Sequence, residues 1–467
     1  MAYLGNTVQN QGFIPAIDTF SGNGSTTAFT LSRPVASVAQ VEAVISNVVQ
    51  DPNTAYTVSG NTITFTSAPP SGTNNIYVRY TSLITQVIAP SQGTVGNTQF
   101  ANNVSAIPMP YGTIGAGNAS IMKNRIINGA MVIDQRNAGA SVTNGAGTYY
   151  FIDRFNTYDG SGGSHFSLGQ NLGGVTPPTG YQTYMGVKTT SAVSASAGNN
   201  FSLNQYIEGF NINDLNWGTA NAQTVTISFW VQSSLTGTFC GVLQSDNSNA
   251  FYVYNYTISS ANTWTYVTAT IPGPTIGTWN TNTNGRGINV RWDLGYGSSF
   301  AGTANTWSAS AVLTTTGAQK VVGTLNATFY ITGVQLEVGS SATGFEYVNY
   351  QTSLANCQRY YYQFIGPASG TNYIGIASGL MLNTTIARTT LIHKVPMRTS
   401  PTITPSASTT IQVQAGTASA TLNSITAYTG SESALIDWTI NGSSTAGQGA
   451  AVFCISNTQF LTVSAEL

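Results

Sequence analysis

Residues 224–232 read Thr-Val-Thr-Ile-Ser-Phe-Trp-Val-Gln, with apolar and polar side chains in alternation. Successive side chains of an extended strand point to opposite faces. The odd positions from Val225 to Val231 therefore form an apolar face, and the even positions, which include Trp230, form a more polar one. This pattern predicts a β-strand that is buried on one side.

Similar short segments lie on both sides of this one, separated by clusters of Gly, Pro, Asn and Ser. Many short strands between turn residues are typical of an all-β protein. Within 328–338 the apolar residues change face at Gly333, which predicts a β-bulge there. The other predicted strands cover residues 38–45, 61–67, 76–80, 251–258, 264–271, 384–395, 434–440 and 450–456.

The chain divides into regions by the density of these strands. We predict a small N-terminal β domain at 1–85 and a connector at 86–120, with a short helix near 98–104. A jelly-roll-like sandwich follows at 121–350. Apolar residues at helical spacing, including Leu354, Cys357 and Tyr361, predict one short helix within 351–367, and the remaining residues, 368–467, form a C-terminal β domain.

The composition excludes several classes of function. Charged residues make up 6% of the chain, compared with about 25% in typical proteins. The 14 basic residues are scattered, whereas nucleic-acid binding requires Lys and Arg along the phosphates. We therefore expect no nucleic-acid partner. Apolar residues reach 41%, enough to build cores, so disorder is not expected.

Targeting and redox signals are few. The first ten residues contain no basic region followed by an apolar run, and no segment approaches the roughly 18 apolar residues of a membrane span. We expect neither a secretory signal nor membrane insertion. Three cysteines are an odd number and are widely separated, which predicts buried thiols rather than a disulfide framework or a metal site: Cys240, Cys357 and Cys454.

Several motifs resemble those of bacteriophage tail fibres. Residues 128–136 (NGAMVIDQR) and 151–155 (FIDRF) resemble the start of a β-sandwich module that is similar to carbohydrate-binding folds. Residues 331–339 (ITGVQLEVG), 342–346 and 354–361 resemble its closing signature and the helix that follows. The remaining similarities to phage structural proteins lie at residues 29–31, 56–60, 68–70, 395–403 and 464–467.

This resemblance implies a tail fibre subunit of the virion that mediates adsorption to the host. It implies an N-terminal virion-attachment domain that binds other phage tail proteins, a sandwich, and a distal C-terminal tip domain. The subunit would form a homotrimer and bind a host surface polysaccharide or lipopolysaccharide. A particle that is assembled inside the cell and released by lysis needs no secretory signal.

A polysaccharide-depolymerising tail spike is the catalytic alternative. Glycoside cleavage uses two carboxyl groups about 5–10 Å apart, and the 15 acidic residues are mostly separated in sequence. Asp153 beside Arg154 is interpreted as a structural ion pair or hydrogen-bond anchor. His165 and His393 fall in different predicted domains and lack a nucleophile motif. We expect no enzyme activity, metal or cofactor. A structural fibre that carries a separate adhesin stays a third possibility.

Sugar binding suits a chain with many aromatic, amide and hydroxyl groups and little charge. Aromatic rings stack on the C–H faces of sugars, and amides and hydroxyls bond their hydroxyl groups. Trp230 is one candidate for stacking on a sugar. The alternative interpretation is that its ring packs against another sheet or another subunit. The same two interpretations apply to the stripe Tyr252, Tyr254 and Tyr256. In the C-terminal domain, the candidates near turns are Tyr428 and Asn441, whereas Trp438 shares a face with apolar residues and is assigned to the core.

Overall fold

A computed structural model describes residues 16–81, 122–367, 373–406, 411–455 and 460–467. The predicted connector and its short helix lie outside these ranges. The chain forms two compact units, residues 1–107 and 108–467, which are described separately below. Antiparallel strands dominate both units, so the all-β prediction is confirmed.

The first unit contains two small antiparallel sheets around one core, with the orders β1-β6-β3-β4 and β2-β5. Ile63, Phe65 and Ile76 are buried in it, as the alternation predicts. The prediction for 38–45 was partly wrong, because the Ser37 side chain accepts from the Ala39 amide and starts a 3-10 turn at Val38–Gln40. The strands are β1 (Ile17–Gly22), β2 (Ala28–Val35), β3 (Val41–Ile45), β4 (Val48–Val49), β5 (Tyr56–Phe65) and β6 (Gly72–Tyr80).

The second unit begins with a sandwich of two antiparallel sheets. The six-stranded sheet, called sheet one, has the order β16-β13-β19-β11-β10-β7, and the seven-stranded sheet two has the order β18-β15-β14-β17-β12-β9-β8. Three 3-10 turns lie among these strands, at Gly209–Leu215, Ser298–Phe300 and Val321–Gly323. The strands are β7 (Val142–Thr143), β8 (Gly147–Ile152), β9 (Phe155–Asp159), β10 (Phe166–Gln170), β11 (Met185–Thr189), β12 (Phe201–Glu208), β13 (Val225–Ser233), β14 (Gly237–Ser245), β15 (Phe251–Ile258), β16 (Thr265–Ile271), β17 (Arg286–Asp293), β18 (Trp307–Ser308) and β19 (Thr328–Val338).

The apolar face of β13 packs into the core between the two sheets, as predicted. Phe229 lies with its ring centroid 5.8 Å from that of Trp292, which is fully buried. Phe155 contacts the same indole from within sheet two, at 6.5 Å. Burying each large apolar side chain contributes about 1.5–3 kcal/mol, so this alternating segment fixes one face of the core.

The predicted bulge at Gly333 is present. In the pairing of β13 with β19, Ser228 lies opposite Gln335 and Trp230 lies opposite Thr332, so one residue of β13 faces two of β19. Gly333 adopts the left-handed conformation, with φ of 62°, which glycine tolerates best. The bulge keeps the apolar side chains on both of its sides directed into the core.

The predicted helix is shorter than expected. It is α1 (Tyr350–Gln358), capped by the Asn349 side chain, which accepts from the Thr352 amide at 2.8 Å. The chain then becomes a strand, β20 (Tyr361–Ile365), that pairs antiparallel with β28 (Phe460–Ser464). The helix prediction was wrong from residue 359 onward, because aromatic residues favour strands where a partner strand is present.

The C-terminal part of the second unit is a closed barrel with the order β21-β22-β26-β25-β24-β27, beside a three-stranded sheet, β20-β28-β23. Trp438 is fully buried in its core, as predicted, and its indole N–H donates to the Thr389 hydroxyl at 2.8 Å. The remaining strands are β21 (Ile374–Met381), β22 (Ile386–Ile392), β23 (Thr402–Pro405), β24 (Gln412–Ala415), β25 (Ala418–Thr429), β26 (Ser433–Asn441) and β27 (Gly449–Cys454).

A buried ion cluster joins the C-terminal part to the sandwich. Glu466 pairs with Arg154 and with Arg136, the latter at 2.7 Å. Arg154 lies 3.5 Å above the ring of Tyr360, and the Arg398 guanidinium donates to the backbone carbonyl of Glu466 at 2.9 Å. We call these residues the C-terminal clasp. These residues come from separate segments of the sequence, which the C-terminal clasp holds together.

The adjacent pair Asp153 and Arg154 is therefore not an ion pair. Asp153 accepts from the backbone and side-chain amides of Gln135, at 2.7 and 2.6 Å. Arg154 lies in the turn between β8 and β9 with φ of 71°, which directs its side chain to Glu466. Asp153 is therefore a hydrogen-bond anchor, as one of the two interpretations stated. Arg154 has a distant ion-pair partner, Glu466.

All three cysteines are buried free thiols, as predicted. Within the described ranges, no group of three or more His, Cys, Asp or Glu side chains could hold a metal ion. In those same ranges no helix has the length and apolar character needed to cross a bilayer.

Candidate functional site

Two aromatic side chains form a pair on the outer face of sheet one. Trp230 of β13 lies directly opposite Tyr266 of β16 in the strand register. Their ring centroids are 5.2 Å apart, and the ring planes meet at 45°. Tyr266 is 45% exposed and Trp230 is half-buried. The structure thus places the sequence candidate Trp230 at the surface, beside a second ring.

A second aromatic cluster faces this pair. Tyr181, from the segment between β10 and β11, contacts Phe345 and Tyr347 with centroid distances of 5.4 and 6.1 Å. Tyr347 is 65% exposed, and its hydroxyl donates to the Gly180 carbonyl at 3.1 Å. The two clusters enclose a shallow pocket of about 240 Å³. We call it the aromatic platform: Trp230, Tyr266, Tyr181, Phe345 and Tyr347, with hydroxyls from Thr179, Ser228 and Thr343.

The segment that carries Phe345 and Tyr347 is held by a hydrogen-bond network. The Glu337 carboxylate accepts from the backbone amide and hydroxyl of Thr343, at 2.8 and 2.6 Å. The Gln335 side chain donates to Glu337 and accepts from the Glu346 amide, both at 2.8 Å. These residues come from the motif ITGVQLEVG and the residues after it. The motif therefore positions one wall of the platform.

The platform adjoins a larger cleft of about 890 Å³ between the segment 122–130 and α1. Tyr181, Phe345 and Tyr347 line both spaces. The cations of the cleft are engaged. Arg125 pairs with Asp214 at 2.5 Å, and Arg359 pairs with Glu208 at 2.6 Å. Because the two spaces share these three aromatic side chains, we refer to them together as the groove.

The chemistry of the platform is neutral. Within the described residues, its lining contains aromatic rings and hydroxyls and no carboxylate. Burial raises the pKa of Tyr181, and the neighbouring Tyr347 raises it further. The Tyr181 phenol therefore keeps its proton at neutral pH and can donate a hydrogen bond. Such a surface can stack against and hydrogen-bond an uncharged polar ligand.

The stripe Tyr252, Tyr254 and Tyr256 has a different location. All three rings are buried in the core of the sandwich. Tyr256 packs against Phe229 and Phe239, with centroid distances of 5.3 and 5.8 Å. The structure corrects the sugar-binding interpretation of these residues, because they point between the sheets and present no surface to a ligand.

The two C-terminal candidates do not form one site. Tyr428 is 55% exposed on the outside of β25. Asn441 lies at the end of β26, opposite Thr421 at the other end of β25. Positions 421 and 428 of one strand are roughly 20 Å apart at about 3.3 Å per residue. Tyr428 and Asn441 therefore lie far from each other. Neither residue lines the aromatic platform.

Sequence reasoning missed four of the five platform rings. Tyr266 could have been found, because it alternates outward on the predicted strand 264–271. Phe345 belongs to a quoted motif, although no pattern indicated a binding role for it. Tyr181 and Tyr347 lie outside regular elements, so no periodicity relates them to Trp230.

Two carboxyl groups have raised pKa values, as catalytic acids often do. Burial raises the pKa of Asp153 to about 6, although Arg136 lowers it. Burial also raises the pKa of Asp293 to about 6, although hydrogen bonds from Thr314 and from backbone amides lower this pKa. Both side chains are at most 1% exposed. Their shifts therefore reflect burial inside the sandwich rather than contact with a substrate.

No family model matches the chain, and no curated protein does. Among solved structures it is similar to the enzymatically active domain of tailspike protein 4 of bacteriophage CBA120, with 12% identity, a TM-score of 0.24, and coverage of 47% of this chain and 22% of that one. It is also similar to a family 11 carbohydrate-binding module of Clostridium thermocellum, with 12% identity and a TM-score of 0.22. That match covers 44% of this chain and 99% of the module. A Bacteroides thetaiotaomicron protein described as sugar-binding has 12% identity to this chain and a TM-score of 0.27. The match covers 46% of this chain and 100% of that protein.

Replacing Gly333 with alanine is expected to disturb the platform. A Cβ atom there would lie 2.6 Å from the Tyr181 ring, and the left-handed conformation costs an L-residue about 1–2 kcal/mol. We expect a loss of stability of at least this size, measured by urea denaturation, together with displacement of Tyr181. Gly198→Ala is the control, because a Cβ atom added there would have no atom of the described residues within 4 Å. Equal stability of the two variants would contradict the assigned strain.

Proposed function

We propose that this chain is a non-catalytic bacteriophage tail fibre subunit whose sandwich binds a glycan of the host cell surface. The observation that carries the proposal is the aromatic platform, with five rings around a neutral pocket on the outside of sheet one. Sugars present C–H faces to aromatic rings and hydroxyl groups to polar side chains. Both complements are present here, and partly exposed rings at positions 230 and 266 are available to a ligand.

The groove suits a chain of sugars rather than a single one. The platform continues across Tyr181, Phe345 and Tyr347 into the larger cleft. Host surface polysaccharides and lipopolysaccharides have such repeated units. A shallow pocket of about 240 Å³ predicts weak binding at each site. Several copies in a homotrimeric fibre would raise the overall affinity through avidity.

The remaining parts of the proposal come from the sequence resemblance. The N-terminal unit would attach the fibre to other phage tail proteins, and the C-terminal barrel would form the distal tip. The fibre would belong to the virion and act outside the cell after lysis.

The depolymerase alternative requires two carboxyl groups on either side of a bound sugar. Glu208 and Glu346 line the larger cleft. Glu208 accepts from Arg359 and from the Tyr360 hydroxyl, and the Glu346 carboxylate accepts from the backbone N–H of Asn124 at 2.6 Å. Each has a structural partner, which supports a binding role for the groove over a catalytic one.

Replacing Trp230 and Tyr266 together with alanine is expected to weaken glycan binding about tenfold or more, because both stacking surfaces are removed. The probe is an array of bacterial surface polysaccharides, followed by titration calorimetry with a bound oligosaccharide. Tyr350→Ala is the matched control, since that tyrosine is 59% exposed and lies outside both pockets.

Undiminished binding by the double variant would rule out the platform as the site. The bound polysaccharide is also incubated with the wild-type chain, and new reducing ends are measured. We expect none to form, and their appearance would favour the tail spike alternative. Failure of the wild-type chain to bind any polysaccharide would favour a structural fibre with a separate adhesin.

A further inference from the structure

The C-terminal barrel has a second exposed face with aromatic and amide side chains. Phe453 of β27 is its centre. In the strand register it lies between Gly375 of β21 and Gln412 of β24. Gly375 has no side chain, and no atom of the described residues lies within 4 Å of where its Cβ would be. Among the described residues, nothing therefore covers the Phe453 ring on the side of Gly375.

The neighbouring residues keep this face open. The next row across the same strands is Ser378, Ala451 and Gln414, all of them exposed. Small side chains at two of these positions leave a shallow depression. Tyr373, 64% exposed, closes one end of it, with its ring 5.1 Å from that of Phe453 at 75°. The resulting space has a volume of about 980 Å³, within the roughly 300–1,000 Å³ range of ligand pockets.

The polar groups of this face are neutral and positioned. The Gln412 side-chain carbonyl accepts from the Ser419 hydroxyl at 3.0 Å. The Gln414 side-chain amide donates to the backbone carbonyl of Gly416 at 3.3 Å. Within the described residues, no charged side chain lines the space. We call this surface the barrel face: Tyr373, Phe453, Gln412, Gln414, Ser378 and Ser419.

We propose that the barrel face is a second binding site for an uncharged glycan, separate from the aromatic platform. This inference rests on the proposed function and extends it to the C-terminal part of the chain. Two rings offer stacking surfaces, and two amides and two hydroxyls flank them. The described lining residues offer no cation to pair with a phosphate or carboxylate group, which favours a segment of neutral sugars as the ligand.

A second copy of the chain fits this face less well. Interface cores between proteins are enriched in aromatic residues, Met and Arg and depleted in Ser and Ala. Around Phe453 the pocket is lined by Ser378, Ser419 and Ala451, and its described lining residues include no Met or Arg. Exposed small and polar side chains beside two rings match the surface of a sugar rather than that of a protein.

The test uses the full chain in four forms on one array of neutral oligosaccharides. These are the wild type, Trp230→Ala with Tyr266→Ala, Tyr373→Ala with Gln412→Ala, and the control Ile392→Ala, which alters an exposed residue elsewhere on the barrel. We expect the platform variant to keep binding a subset of glycans. We expect the barrel-face variant to lose that subset by at least tenfold, with the control unchanged.

The outcomes separate the two sites. Loss of all binding in the platform variant would overturn the barrel site while leaving the proposed function intact. Loss confined to the barrel-face variant would support the barrel site and contradict the platform. Unchanged binding by the barrel-face variant would overturn the inference. A decrease in its molecular mass by analytical ultracentrifugation would also overturn it, because the face would then be a contact between copies.

Discussion

Replacing Glu466 with alanine is expected to lower the free energy of unfolding of the second unit by about 3–5 kcal/mol. The variant leaves Arg154, whose side chain is 1% exposed, without its carboxylate partner inside the protein. Removing one member of a buried ion pair is costly because the remaining charge is no longer compensated. Arg136, which pairs with the same carboxylate, adds to the effect. Urea denaturation followed by tryptophan fluorescence measures it.

The control for this prediction is Asp214→Ala. Asp214 pairs with Arg125, but its side chain is 55% exposed, and exposed ion pairs contribute about 0–1 kcal/mol. We expect the two variants to differ by several kcal/mol. A loss of less than about 1 kcal/mol in Glu466→Ala would show that the C-terminal clasp does not stabilise the unit.

Replacing Trp292 with alanine is expected to destabilise the sandwich by about 3–5 kcal/mol, the usual cost of removing a large buried aromatic side chain. Trp292 is fully buried on β17 and contacts Phe155 and Phe229 from both sheets. The cavity in the variant cannot close without moving both sheets. The midpoint of thermal or urea unfolding is measured.

The comparison variant is Trp292→Phe, which keeps an aromatic ring and most of the apolar volume. We expect it to lose clearly less stability than Trp292→Ala, because the cost of a core substitution grows with the cavity that remains. Equal losses in the two variants would contradict the packing argument, because within the described residues the indole N–H has no hydrogen-bond partner whose loss could explain them.

Local alternation predicted the strands and their faces well. Residues 224–232 gave the correct core face, and the change of face at Gly333 correctly indicated a bulge. The same alternation placed Trp230 on the outer face, where the platform lies. These features depend on neighbours one or two positions apart, which is the information that a period-two pattern contains.

Features that depend on distant residues were not predicted. The strand β20 exists because β28 pairs with it, and β28 lies about a hundred positions later. Locally, residues 359–365 look compatible with a continued helix. The platform likewise combines Tyr181, Tyr266 and Tyr347, which share no periodicity with one another. Tyr252, Tyr254 and Tyr256 alternate as surface residues do, yet sheet one covers them.

The Arg154–Glu466 contact has a consequence for biosynthesis. Its two partners are 312 positions apart, and ribosomes add about 5–20 residues per second. A nascent chain therefore holds the Arg154 cation for about 15–60 s before its carboxylate has been made. During that interval the growing sandwich cannot reach its final state. This ion pair, and with it the complete C-terminal clasp, can therefore form only after residue 466 has been synthesised.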